Sequence, residues 1–94
     1  MALAVPTAVA HAQTGYDIHF CSNIPATGLG IRAGDNDGAT ELGRVYHGNV
    51  GHIYATSKSE PSINPGWATG YGRESDGTVV HGYFKVAYTS PNPC

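Results

Sequence analysis

From Tyr16 onward, apolar and polar residues alternate: Tyr16, Ile18 and Phe20 share one parity, and Asp17, His19 and Cys21 share the other. A period of two puts each set on its own face of an extended chain. Tyr16–Cys21 is therefore predicted as a strand with its Tyr-Ile-Phe face toward a core. The pattern breaks across Asn23–Thr27, around Pro25, and resumes at Leu29-Gly30-Ile31-Arg32. Gly34-Asp35-Asn36-Asp37-Gly38 reads as a loop, because each of these residues tolerates turn backbone. Glu41–His47 is the next strand, with Leu42, Val45 and Tyr46 as its apolar content. Gly48-Asn49 links it tightly to a strand over Val50–Thr56, and the pair is predicted as a β-hairpin. Ser57–Gly66 is polar, contains Pro61 and Pro65, and reads as an exposed loop. Gly66–Gly72 follows as a strand whose glycines allow close backbone approach. Ser75-Asp76-Gly77 is a turn, and Thr78–His81 with Gly82–Thr89 completes the strands before the tail Ser90–Cys94.

Short strands recurring at roughly ten-residue intervals, with turn chemistry between them, indicate an all-β sandwich or barrel, and the barrel suits a chain this small. Composition agrees. The chain has 94 residues, room for one domain at most, with 13 Gly, 6 Tyr and only 13% charged side chains. Ala, Leu, Glu and Lys, which favour helix, are scarce after the first dozen positions. A hydrophobic content of 40% with a net charge of −2 argues against disorder. The five basic residues, Arg32, Arg44, Lys58, Arg73 and Lys85, are scattered singly and form no stripe that could neutralise phosphates, which speaks against nucleic acid as a partner. No segment is long and apolar enough to be expected to span a membrane as a helix.

Residues 1–12 form an apolar run ending in Ala10-His11-Ala12, the small-x-small pattern accepted by signal peptidase. They are expected to be the remnant of a secretory leader, cleaved after Ala12, so that 13–94 is the domain. Two cysteines bracket that domain, Cys21 near its start and Cys94 as its last residue. In an oxidising compartment only one pairing exists. The spacing lacks a CxxC or a nearby His, so zinc is a poor alternative. Closing so long a loop is worth about 4 kcal/mol in the chain-entropy model.

Five stretches in order resemble the bacterial SH3-like family, in its secreted actinobacterial form. Gly28-Leu29-Gly30-Ile31-Arg32-Ala33-Gly34 is similar to the family's "LNVRSGP" opening, and Glu41–Gly48 to its "VIGTLYKG" segment. Val50–Thr56 is similar to the strand after it, Gly66-Trp67-Ala68 to "GWxKV", and Gly82-Tyr83-Phe84 to the closing "GWV". Gly30 stands where Asn is usual, Asp35 where Pro is, and Tyr83 where Trp is, and the Ser57–Pro65 loop is longer than the family's. The resemblance implies a small SH3-like β-barrel of about five to seven short strands. It also implies an accessory binding role, commonly toward cell-wall peptidoglycan.

Reactive chemistry finds little support in the residues. Five histidines invite a metal reading, but His47, His52 and His81 share no HxH or HxxxH spacing. Imidazoles on a sheet face are the preferred reading, with a cluster formed across strands left open. Asp35-Asn36-Asp37-Gly38 resembles part of a calcium loop, but Ala33 and Arg44 fall where that loop needs carboxylates. No Gly-x-Ser-x-Gly elbow is present, both cysteines are assigned to the bridge, and most of the seven carboxylates fall in turns. No enzyme activity, metal or cofactor is expected.

Aromatic side chains remain. Tyr83 and Phe84 must face opposite ways because strand side chains alternate. Trp67 and Phe84 are read as core, while Tyr71 and Tyr83 divide evenly between core and surface. An exposed Tyr/Trp patch gives stacking surface for sugars at little entropic cost. The expectation is a secreted, extracellular, non-catalytic module that recognises cell-wall peptidoglycan or a related glycopeptide. Its ligand-binding residues are expected to be Tyr46, Tyr54, Trp67, Tyr71 and Tyr83, with Arg73 and Glu74 as polar rim. A different class remains open, a secreted inhibitor or toxin-like effector that binds a protein through the 57–66 loop. Self-association is a third reading.

Overall fold

Seven strands form among the described residues of the computed structural model, which are 15–21, 23–55 and 63–94. They are β1 (Gly15–Phe20), β2 (Leu29–Arg32), β3 (Glu41–Val45), β4 (Val50–Tyr54), β5 (Trp67–Arg73), β6 (Val79–Lys85) and β7 (Thr89–Ser90), with a single 3-10 turn at Val86–Tyr88. All pair antiparallel in one sheet of order β3-β2-β6-β5-β4-β1-β7. The fold is all-β, as the strand spacing predicts, and Cys21 is bonded to Cys94. The expected leader, residues 1–12, lies outside the described residues, as do positions 57–62 of the expected loop.

One side of this sheet is apolar and the other is not, and the sheet curls around its apolar side. Ile18 and Phe20 from β1, Ile31 from β2, Val45 from β3, Ile53 from β4, Ala68 from β5 and Phe84 from β6 are all buried in one cluster. Phe20 and Phe84 meet edge to face with centroids 5.4 Å apart, a favoured aromatic geometry. The degree of curl shows at Gly72 on β5. A Cβ built there would lie 2.5 Å from Ile31 of β2, 2.8 Å from Val45 of β3 and 3.2 Å from Phe20 of β1. Strands β1 and β3 do not neighbour β5 in the sheet, so they reach it only across the core.

Three sequence expectations need correction. The β3–β4 hairpin does not form: β3 pairs with β2, while β4 pairs with β1 and β5. The Gly48-Asn49 link instead docks on the end of β1, with Gly48 N–H donating to Phe20 O at 2.7 Å and Phe20 N–H to Asn49 O at 2.8 Å. The chain therefore crosses from one part of the curled sheet to another rather than folding back on itself. Second, β6 runs unbroken through Gly82, whose bare α-carbon lets β2 come close; a Cβ there would sit 2.6 Å from Arg32 O. Third, Trp67 is half-buried and stands outside the core cluster, whereas Phe84 is fully buried as expected. Parity decides this, because the inward positions of β5 are Ala68, Gly70 and Gly72, which leaves Trp67 on the outer side.

Candidate functional site

The outer side of β1, β4, β5 and β6 is set by the same parity. Asp17 of β1 pairs with His52 of β4, His52 with Tyr71 of β5, and Tyr71 with His81 of β6. Four residues from four strands thus form one row across the sheet. Thr69 pairs with Tyr83, and Trp67 with Lys85, extending the same face along β5 and β6. Tyr54, two positions beyond His52, falls on this face as well.

The rings in the row pack against each other. His52 stacks on Tyr71 with centroids 5.6 Å apart and planes 14° from parallel. Tyr71 meets His81 at 5.6 Å, tilted by 59°. Tyr54 stacks on His81 at 6.1 Å and lies 6.4 Å from Tyr71. The four side chains His52, Tyr54, Tyr71 and His81 therefore make one aromatic cluster. Polar contacts fix its orientation. His52 Nδ1 is 2.8 Å from Asp17 Oδ1, and the Tyr54 hydroxyl is hydrogen-bonded to His81 Nδ1. With that imidazole neutral, the phenol O–H donates to the ring nitrogen.

Burial pushes the Tyr54 phenol above its usual value of 10, and neighbouring Tyr71 adds to the rise. The folded protein then holds this proton to higher pH than the unfolded chain does. The stability linked to it is fully present below pH 10 and is lost as pH rises through the raised value. Urea unfolding midpoints of the wild type should fall more steeply above pH 10 than those of Tyr54→Phe. Parallel declines would show that Tyr54 does not carry the effect.

Beside the row is a groove of about 330 Å³ lined by Asp17, His19, Val50, Tyr71 and Arg73, among others. His19 Nδ1 is buried in this region without a hydrogen-bond partner among the described residues. The groove thus presents an acid, a cation and imidazole next to an aromatic ring. Among the described residues, no group of three or more His, Cys, Asp or Glu side chains is arranged to hold a metal ion.

The expected binding residues divide. Tyr54, Tyr71, Trp67, Tyr83 and Arg73 fall on this one outer side, in β4, β5 and β6. Tyr71 and Tyr83, evenly balanced on sequence, are both half-buried there. Tyr46 lies just past β3 and is exposed, its ring close to Gly28 on the β2 side of the molecule. Glu74 is engaged in the fold, since its Oε2 accepts the Arg44 backbone N–H at 2.9 Å. Sequence reasoning left a cross-strand cluster of His52 and His81 open without counting them, or Asp17, among the binding residues. The available signal was parity: His52 matches Tyr54 on β4, and His81 matches Tyr83 on β6. The pairing that unites them spans distant segments.

No family model, curated protein or solved structure matches this chain.

Proposed function

We propose that this domain is a secreted, non-catalytic binding module that takes cell-wall peptidoglycan, or a related glycopeptide, on the outer face of β4, β5 and β6. The observation that carries the reading is the packed cluster of His52, Tyr54, Tyr71 and His81 on a face that continues to Tyr83 and Trp67. Such rings offer flat apolar faces to the C–H faces of a sugar ring, while phenol and imidazole tips offer hydrogen bonds to its hydroxyls. Because each ring is held by its neighbours, little side-chain freedom remains to be lost on binding. The disulfide supports an extracellular setting, where such bonds persist. The resemblance of five stretches to bacterial SH3-like domains supports the same partner.

Tyr71 is central to the cluster and touches the other three rings. Tyr71→Ala should lower retention on purified peptidoglycan about tenfold or more, the scale of a central interface aromatic. Circular dichroism must show that the variant still folds, and Trp67→Ala should weaken retention in the same assay. Undiminished retention in a folded Tyr71→Ala variant would overturn the proposal. So would a wild type that is not retained but inhibits a secreted protease or glycosidase.

A further inference from the structure

A second cavity, of about 170 Å³, lies at the Trp67 end of the sheet. Its wall includes Pro25, Leu29, Trp67 and Tyr88 on the apolar side, and Arg32, Arg44 and Lys85 on the cationic side. Three of the five Lys/Arg residues of a net-negative chain therefore face one small space. Such a gathering costs repulsion unless negative charge is supplied.

Part of that charge is internal. Arg44 is spoken for: its Nε reaches Glu41 Oε2 at 3.0 Å, and its Nη1 donates to the carbonyls of Thr27 and Gly28. Arg32 gives Nη1 to Ala39 O at 2.9 Å, which leaves other donors of its planar fork. Lys85 lies with Nζ 5.6 Å from the Trp67 ring centroid and 2.9 Å from Asp37 Oδ1. Asp37 belongs to the β2–β3 loop, and its side chain is 73% exposed. An exposed loop carboxylate thus sits on the cationic side of a cavity whose wall also includes Trp67, Tyr88, Leu29 and Pro25.

We infer that this cavity is a carboxylate-binding site, and that Asp37 occupies its anion position in the unliganded protein. The ligand group is a carboxylate next to a small apolar substituent, as at the C-terminus of a peptide with a small last residue. The carboxylate pairs with Lys85 and Arg32, and the substituent lies on Trp67 and Leu29. The space is open to solvent on one side and has room for one small residue. Ligand entry displaces Asp37 from Lys85. The inference does not depend on glycan binding by the aromatic cluster.

The test is an NMR titration of the ¹⁵N-labelled domain with N-acetyl-alanyl-alanine, its C-terminal amide, and acetate. The dipeptide acid should shift the Trp67 indole and the backbone amides of Asp37 and Lys85. The amide should leave them in place, and acetate should bind more weakly than the dipeptide. Asp37→Asn removes the internal competitor and should tighten binding roughly two- to fivefold, the scale of an exposed ion pair. Lys85→Gln should weaken it about tenfold or more, and Lys85→Arg, which keeps the charge, should retain it. Equal shifts from acid and amide, or none from either, would overturn the site. Acetate binding as tightly as the dipeptide would overturn the role of the apolar wall. A folded Asp37→Asn variant that binds no tighter would overturn the role given to Asp37.

Discussion

A Cys21→Ser, Cys94→Ser double variant should melt roughly 15–30 °C below the parent protein. The bond joins residues 73 apart, so cutting it releases nearly the whole described domain to explore open conformations when unfolded. In the chain-entropy model this costs about 4 kcal/mol. A domain of this size has a total stability near the low end of about 5–15 kcal/mol, so the loss is most of what it has. The bridge also acts where the sheet is thinnest. Strand β7 pairs with β1 through only His19–Ser90 and Phe20–Thr89, continued by Cys21 N–H donating to Tyr88 O at 2.9 Å. Differential scanning calorimetry with and without reductant measures the effect. Hydrogen exchange should show the amides around Thr89 and Ser90 losing protection before those of β5. A fall in melting temperature of only a few degrees would mean that the unfolded chain stays compact without the bond.

Gly70→Ala should be among the most damaging single methyl groups that can be added to the sheet. On β5 the inward positions run Ala68, Gly70, Gly72, and Gly70 pairs with Ile53 on one side and Gly82 on the other. A Cβ at Gly70 would lie 1.9 Å from the backbone carbonyl oxygen of His52 and 3.1 Å from the Ile53 α-carbon. These are main-chain atoms in a paired strand, and no rotamer change relieves them. Overpacking a core costs about 1–3 kcal/mol when side chains can yield. Here the β4–β5 pairing must open instead, so a loss of about 3 kcal/mol or more is expected. Because His52 and Tyr71 belong to those two strands, the His52–Tyr71 stack should be lost along with stability. Urea unfolding reads the first effect and near-ultraviolet circular dichroism the second. A variant with unchanged midpoint and aromatic signal would show that the strands are less closely apposed than the structure has them.

Local rules made much of this fold readable. Alternation at Tyr16, Ile18 and Phe20 identified β1 and its inner face, and Ile18 and Phe20 are both buried. The turns at Gly34–Gly38 and Ser75–Gly77 followed from residues that favour turn backbone. The disulfide followed from there being only two cysteines. What failed was partner choice. A short link such as Gly48-Asn49 looks like a hairpin turn, but the curl of the sheet carries β3 away from β4 and gives the link to Phe20 instead. Trp67 was misplaced because its size suggested burial, whereas the neighbouring small residues had already claimed the inner side of β5. The site was half legible. Tyr54, Tyr71 and Tyr83 stand out by composition, but His52 and His81 join them only through strand registration, which depends on every pairing in between.

The small residues inside β4 and β5 have a further consequence. Gly51 faces Gly72 across the pairing, and Gly70 lies opposite Ile53, so the inner surface there is nearly bare. A sheet so thin on one side bends toward that side, and its opposite surface becomes convex. Rings packed side by side on a convex surface form a broad outward platform, and the groove beside them lies open rather than closed over a small molecule. What suits such a surface is a long ligand draped across it, touching ring after ring and held by many weak contacts. On that geometry, binding strength should grow with ligand length up to the span of the face, and isolated monomers of the same polymer should compete poorly.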